Sequence, residues 1–278
     1  MQRDRACAAL SFMLSGQNTD EDAMITLVDM EHASAIGDAT DRDQHSRIIA
    51  DLRRRLEVIS GQPCVVRRYP DVTRAWLLES GTRALILSGN RTEWLLYDPR
   101  DLRDLQEAVR DPLVPVLGLC GGLQFIVLAY GGHVAPIREL GSDESDIPGS
   151  FGTGYLKEWG FKPVRLLAPD PLFRGMEVPV FLQAHYWEVK EVPDGFSVLA
   201  SSDLCRIQAL RRVDALVYGT QFHPEGYTID SGEHQSALVE FVYPDGYSEP
   251  QPDGRTLLIN FFAAAGILTG SRTASSSL

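Results

Sequence analysis

The residues best suited to chemistry in this chain are a cysteine set among glycines and a histidine followed two positions later by a glutamate. In Val114-Pro-Val-Leu-Gly-Leu-Cys120-Gly-Gly-Leu-Gln124 an apolar β-type run breaks at the cysteine and continues as the helical pattern Phe125 to Tyr130. A side chain on so sharp a strand-to-helix turn needs unusual backbone angles, and Gly118, Gly121 and Gly122 remove the Cβ atoms that would clash there. At the start of a helix the sulfur also faces unpaired amides and the positive end of the helix dipole, both of which favour the nucleophilic thiolate. The second motif, Gly219-Thr-Gln-Phe-His223-Pro-Glu225, follows another apolar run. Pro224 keeps His223 extended, and Glu225 is near enough to fix the imidazole tautomer through one ring nitrogen, leaving the other for Cys120. Nucleophile, base and orienting acid together are the parts of acyl transfer through a thioester, with Cys120, His223 and Glu225 as the expected catalytic triad.

Such a triad works only if separate elements bring it together. Met24 to Asp29, Cys64 to Arg67, Ala84 to Ser88 and Val114 to Leu119 are short β-rich runs. Helical spacing is found between them, at 41–59 with Gly61 as C-terminal cap, near 72–80 and at 99–109. This alternation predicts an α/β fold with a doubly wound, mostly parallel sheet flanked by helices. Beyond Gly132 the runs 134–137, 162–167, 178–189, 197–200, 207–210 and 216–222 are strand-like with turns between, so an additional antiparallel region is expected in the C-terminal half. The stretch 141–154, rich in Gly, Ser and Asp, reads as an exposed loop, and 227–255 as irregular chain ahead of an apolar helix at 257–268.

The two motifs resemble the signatures of class I glutamine amidotransferases, in Gly-Leu-Cys120-Gly-Gly-Leu-Gln124 and Gln-Phe-His223-Pro-Glu225. Leu85-Ile-Leu-Ser88-Gly89-Asn90 is similar to the family's Ser-Gly-Gly loop, with asparagine at the last position. The resemblance implies an oxyanion hole from an amide of Gly89 or Asn90 together with that of Gly121, where one donor is worth about 2.7 to 4 kcal/mol of barrier in a related acyl transfer. It further implies that Gln124 binds the substrate, and that the segment around His185 and Tyr186 holds the amino acid end of glutamine. The implied reaction is attack of Cys120 on the glutamine side-chain amide, release of ammonia, and hydrolysis of the thioester to glutamate. That chemistry needs no metal or organic cofactor, and His32, His45, His133 and His234 read as solvated or structural. Because no synthetase-sized segment lies between the second motif and Leu278, a separate synthetase subunit is the expected acceptor of the ammonia.

Three rivals remain open. A γ-glutamyl hydrolase acting on γ-glutamyl peptides or amines would use the same triad. A non-catalytic, metabolite-binding regulatory module would keep the fold without the turnover. An α/β-hydrolase with cysteine at its elbow fits less well, since there the acid precedes the histidine. Composition excludes other classes: 278 residues with a formal net charge of -12 disfavour nucleic-acid binding, and no apolar run reaches membrane-spanning length. Four cysteines without C-x-x-C spacing suit a reducing, cytoplasmic setting. The expected organisation is a disordered leader at 1–22, in which Arg3 and Arg5 precede apolar residues in a loose likeness to an export signal, one amidotransferase-like domain at 23–270, and a disordered tail at 271–278.

Overall fold

The computed structural model describes residues 23–229 and 236–268, so the expected leader and tail lie outside the described residues. The first strand, β1 (Met24–Asp29), is followed by α1 (Ala39–Ser60). Asp38 caps α1 by accepting from the Asp41 amide, and Gly61, at φ 67°, closes it by donating to the Glu57 carbonyl. Next come β2 (Cys64–Arg68), α2 (Arg74–Glu79), β3 (Thr82–Leu87), α3 (Pro99–Arg110), β4 (Val116–Leu119) and α4 (Gly121–Ala129). The strands then shorten and pair locally: β5 (His133–Pro136), β6 (Glu158–Pro163), β7 (Arg165–Leu166), β8 (Val180–His185), β9 (Trp187–Glu191), β10 (Phe196–Ser201), β11 (Ala209–Arg212) and β12 (Val217–Thr220). Helices α5 (Ala237–Val242) and α6 (Asp253–Ala264) complete the described chain.

Eight strands form the main sheet in the order β2-β1-β3-β4-β12-β11-β10-β7. Pairing is parallel from β2 through β12 and antiparallel from β12 to β7. Alternation along the strands sends side chains to two cores. Ile25, Leu27, Ala84, Ile86, Leu117 and Leu119 pack under α1 and α6, whereas Val28, Leu85, Leu87 and Val116 pack against α2, α3 and α4. Both faces of the parallel sheet are therefore covered, as apolar runs such as Leu85-Ile-Leu require.

Four expectations need correction. The run expected at 162–167 is two strands, because the chain turns at Val164: β6 pairs with β8, while β7 joins the edge of the main sheet. The run at 178–189 likewise divides at Tyr186, whose carbonyl accepts from the Ile137 amide, and β9 pairs with β5. The stretch 227–255 contains α5, which is capped by the Ser236 hydroxyl and buries Leu238, Val239 and Val242. Six residues are too short for helical periodicity to stand out. Finally, the 141–154 loop is not wholly outside the core, because Phe151 stacks on Phe241 at 6.2 Å and meets Trp159 edge-on.

The junction between β4 and α4 tolerates no extra atoms. A Cβ at Gly118 would lie 2.4 Å from the backbone carbon of Gly122. Neither backbone can give way without moving the strand or the helix that it belongs to. Gly118→Ala is expected to destabilise the fold by at least about 2 kcal/mol in chemical denaturation; an unchanged midpoint and slope would contradict this packing.

Candidate active site

Three neighbouring parallel strands deliver the chemistry to one edge. Register pairs Leu87 of β3 with Gly118 of β4, and Leu119 of β4 with Thr220 of β12. The residues that follow, Ser88-Gly89-Asn90, Cys120 and Gln221-Phe-His223, hence leave the sheet side by side, at the C-terminal strand ends where open α/β sheets bind ligands. The Cys120 amide donates to the Thr220 carbonyl at 2.6 Å, tying the two loops together at the turn.

Cys120 has φ 51° and ψ −103°, and it is the non-glycine residue with positive φ among the described residues. It stands at the N-cap of α4, whose first amides have no partner within the helix. His223 is held by the hydrogen bond that its backbone N–H donates to the Leu182 carbonyl at 2.8 Å and by the stack of Phe222 on Phe181 at 3.9 Å. Its Nδ1 meets Glu225 Oε1 at 2.7 Å, which leaves Nε2 for Cys120, the ring's other side-chain hydrogen-bond partner. Gly89 reports the closeness of the pair: a Cβ there would lie 3.1 Å from His223 Cε1 and 3.6 Å from the Cys120 Cβ.

Charge follows from this geometry. Burial by itself pulls His223 towards the neutral form, but the Glu225 carboxylate and the Cys120 sulfur outweigh it and push the imidazole up to about 10. Glu225 is buried, and its second oxygen, Oε2, has no hydrogen-bond partner among the described residues. The carboxylate is thus directed at the imidazole alone. Cys64 and Cys205, by contrast, are buried thiols pushed up by desolvation, Cys64 to about 12, which makes them poor nucleophiles.

The loop after β3 is fixed by a carboxylate that sequence reading did not single out. Glu31, 1% exposed, accepts from the Arg91 amide at 2.9 Å and from the Thr92 hydroxyl at 2.7 Å. Ser88 Oγ accepts from the Met30 amide, joining the same loop to the end of β1. Asn90 keeps an ordinary negative φ, and its amide nitrogen would lie 2.9 Å from a Cβ on Gly121. The Asn90 backbone nitrogen therefore lies close to the Gly121 backbone. The Asn90 side chain donates to the Thr92 carbonyl and the Tyr97 hydroxyl, leaving its Oδ1 buried without a partner against Gly121.

Gln124 borders the cleft, yet its amide is engaged with protein. Its Oε1 accepts from Trp94 Nε1 at 3.0 Å, and its Nε2 donates to Gln221 Oε1 at 3.3 Å. Gln221 Nε2 in turn lies 3.5 Å from Cys120 Sγ. Trp94, Gln124 and Gln221 form a one-way chain of donors ending at the sulfur, and neither Trp94 nor Gln221 was expected there. The only available signal for Gln221 was its place two residues before His223, on the strand that neighbours the cysteine. His185 also borders the cleft, but Glu158 Oε2 at 3.1 Å and the Trp187 carbonyl at 2.9 Å occupy its two ring nitrogens. Its ring therefore braces the cleft wall and offers no free nitrogen to a ligand. Tyr186 is 5% exposed, with its hydroxyl 3.5 Å from Glu93 Oε1.

Of the remaining histidines, His32 bonds Ser34, His45 bonds Asp29 Oδ2 at 3.0 Å, His133 is exposed, and His234 lies outside the described residues. Glu158, His185 and Cys205 bring possible metal-ligand atoms within 4.8 Å of one another. Each is already engaged, since Gln208 also donates to Glu158 Oε2 and the Cys205 thiol donates to the Ile207 carbonyl, so the cluster is a satisfied polar core.

Two depressions meet at Cys120. One, of about 290 Å³, has a mixed polar and aromatic lining that includes Arg91, Thr92, Glu93, Trp94, Gln124 and Tyr186. The other, of about 620 Å³, lies on the side of His223 and Glu225 and is walled by Ile48, Ile49, Leu52, Leu238 and Phe241. Phe151 and Ala184 border both.

The sequence pattern of the family described as glutamine amidotransferase class-I matches residues 43–240. The glutamine-hydrolyzing GMP synthase subunit of Methanocaldococcus jannaschii is 30% identical over 188 residues, 66% of this chain and 85% of that protein. The protein of the same name from Methanothermobacter thermautotrophicus is 37% identical over 113 residues, 40% of this chain and 52% of that protein. The chain thus spans about half the length of several curated relatives that it matches. In fold it is similar to the glutamine amido transferase of Methylobacillus flagellatus, with a TM-score of 0.58 at 17% identity, covering 89% of this chain and 96% of that one. A glutamine amidotransferase from Thermotoga maritima gives 0.55 at 13%, covering 88% and 99%. On the extent of the family match and the M. jannaschii alignment, this chain belongs to the class I glutamine amidotransferase family.

Proposed function

We propose that the chain hydrolyses the side-chain amide of glutamine through a thioester on Cys120, yielding glutamate and ammonia. The observation that carries this reading is the buried 2.7 Å bond between His223 and Glu225, with the imidazole facing a cysteine held at a strained turn. In this mechanism Cys120 attacks the amide carbon, and the Asn90 and Gly121 amides stabilise the oxygen as it becomes negative. His223, protonated between carboxylate and sulfur, gives its proton to the leaving ammonia, then takes one from the water that cleaves the thioester. Gln124 and Gln221 act as positioning residues, presenting a donor to the sulfur. Arg91, Glu93 and Tyr186, in the smaller depression, suit the amino acid end of the substrate.

The names of the relatives support a partner chain. Several are named as one subunit of a glutamine-hydrolyzing GMP synthase, which supports delivery of the ammonia to a synthetase on a separate chain. A single amidotransferase unit over 23–270 in the cytoplasm is part of the same proposal. Cys64, Cys120 and Cys205 are free thiols, and among the described residues no helix is long and apolar enough to cross a membrane.

Intact-mass measurement after mixing with glutamine is expected to find a glutamyl adduct on the wild-type chain. Cys120→Ala should lose both the adduct and ammonia release while keeping its cooperative unfolding. Full activity in that variant would refute the assignment. The pH dependence supplies a separate check. Because the folded-state value of His223 is raised, its proton is present at neutral pH and is lost only near pH 10, so single-turnover thioester formation should fall on an alkaline limb near 10. Glu225→Gln removes the strongest upward push and leaves burial to dominate, which should move that limb to lower pH and slow the step roughly 10²- to 10⁴-fold. A wild-type limb near the ordinary histidine value would contradict the charge arrangement.

A further inference from the structure

The larger depression has no counterpart in the needs of ammonia. Its apolar wall consists of Ile48, Ile49 and Leu52 from α1 with Leu238 and Phe241 from α5, and it opens beside Cys120, His223 and Glu225. The space open to the centre of a water-sized sphere is about 70 Å³, several times the roughly 10–15 Å³ that one water needs on the same measure. Position in the reaction decides what such a space receives. The smaller depression, where Arg91 and Glu93 supply charges of both signs beside Tyr186, suits the charged amino acid end of the substrate, so the scissile bond at Cys120 points its other end away from that pocket. The leaving nitrogen must also face the group that protonates it, and His223 borders the apolar depression.

We propose that this apolar depression is a leaving-group subsite, and that the chain cleaves γ-glutamyl amides whose amine carries a small branched alkyl or aryl group. The inference rests on the thioester chemistry above and extends it to a second substrate class. The step balances as for glutamine: the sulfur–carbon bond forms, the carbon–nitrogen bond breaks, and the proton of His223 goes to nitrogen. Water then cleaves the thioester, so that one amide and one water become glutamate and a free amine. The walls supplied by α1 and α5 are aliphatic and aromatic, with the ring of Phe151 stacked on Phe241, whereas Glu31, Gln44, His45 and Arg91 line the rest of the depression. An alkyl or aryl leaving group gains burial against those apolar walls, which a glycine leaving group cannot.

The test compares L-glutamine, L-γ-glutamyl-isobutylamide and γ-glutamylglycine on the full chain, with the released amine or amino acid measured separately from ammonia. The expected result is isobutylamide turnover at a kcat/KM at least about tenfold above that of γ-glutamylglycine, the scale of discrimination that one or two methylenes give in an apolar pocket. In Ile48→Asp, and in the milder Ile48→Ser, the ratio of isobutylamide to glutamine turnover within one preparation should fall, by about tenfold or more for the aspartate. A variant that merely folds poorly lowers both activities and leaves their ratio unchanged. Glutamine turnover without isobutylamide turnover would overturn the subsite and leave the glutaminase reading standing, as would a ratio that neither variant alters while glutamine is still hydrolysed. Absence of both ammonia and a thioester from glutamine would overturn the reading beneath it as well.

Discussion

The backbone of one residue governs this site. At φ 51° and ψ −103°, Cys120 occupies a region that costs a side-chain-bearing residue of order 1–3 kcal/mol, and the surrounding structure must hold it there. It does so from three directions: the amide of Cys120 is tied to β12, Gly118 and Gly122 are in backbone contact across the turn, and α4 begins at the next residue. The result is a sulfur that projects beyond the sheet edge with unpaired helix amides next to it.

Around that fixed point the charges form a sequence. The Glu225 carboxylate faces one imidazole nitrogen and the sulfur faces the other, so the proton on His223 lies between two groups that both favour it. Burial opposes this arrangement, and it is outweighed because the two partners are close and act together. The donor chain from Trp94 through Gln124 to Gln221 adds a neutral hydrogen bond to the same sulfur from the opposite flank. Removing the Glu225 carboxylate or the sulfur would weaken the hold on the His223 proton and leave burial to dominate.

Much of this was legible in the residues. Period-two apolar runs and helical spacing named the parallel strands, and Cys120 and His223 could be expected at adjacent strand ends because both motifs follow such runs. What the sequence concealed depends on contacts between distant segments. Glu31 looks like any acid after a strand until it is found holding the Arg91 amide and the Thr92 hydroxyl. His185 lies in the segment where the resemblance implied a substrate-binding role, but its ring nitrogens turn inward to Glu158 and to the Trp187 carbonyl, a choice set by β6 packing beside β8. Gln124 carries an amide suited to glutamine, but Trp94 and Gln221 occupy it.

The loops that periodicity read least well form the boundary of the cleft. Phe151 comes from a stretch whose composition says surface, and Leu238 and Phe241 from a helix too short to register, yet these side chains divide the space around Cys120. A sheet edge can place a nucleophile, a base and two amides with little reference to what surrounds them, because strand register fixes their spacing. The shape offered to the rest of a substrate is set elsewhere, by side chains on connections that can be lengthened or exchanged without disturbing the sheet. In this chain those connections supply the apolar wall of the larger depression and the aromatic part of the smaller one, with the sulfur where the two meet. The apolar wall beside the sulfur thus comes from α1, α5 and Phe151, while the sulfur, the imidazole and the loop amides come from the ends of β3, β4 and β12.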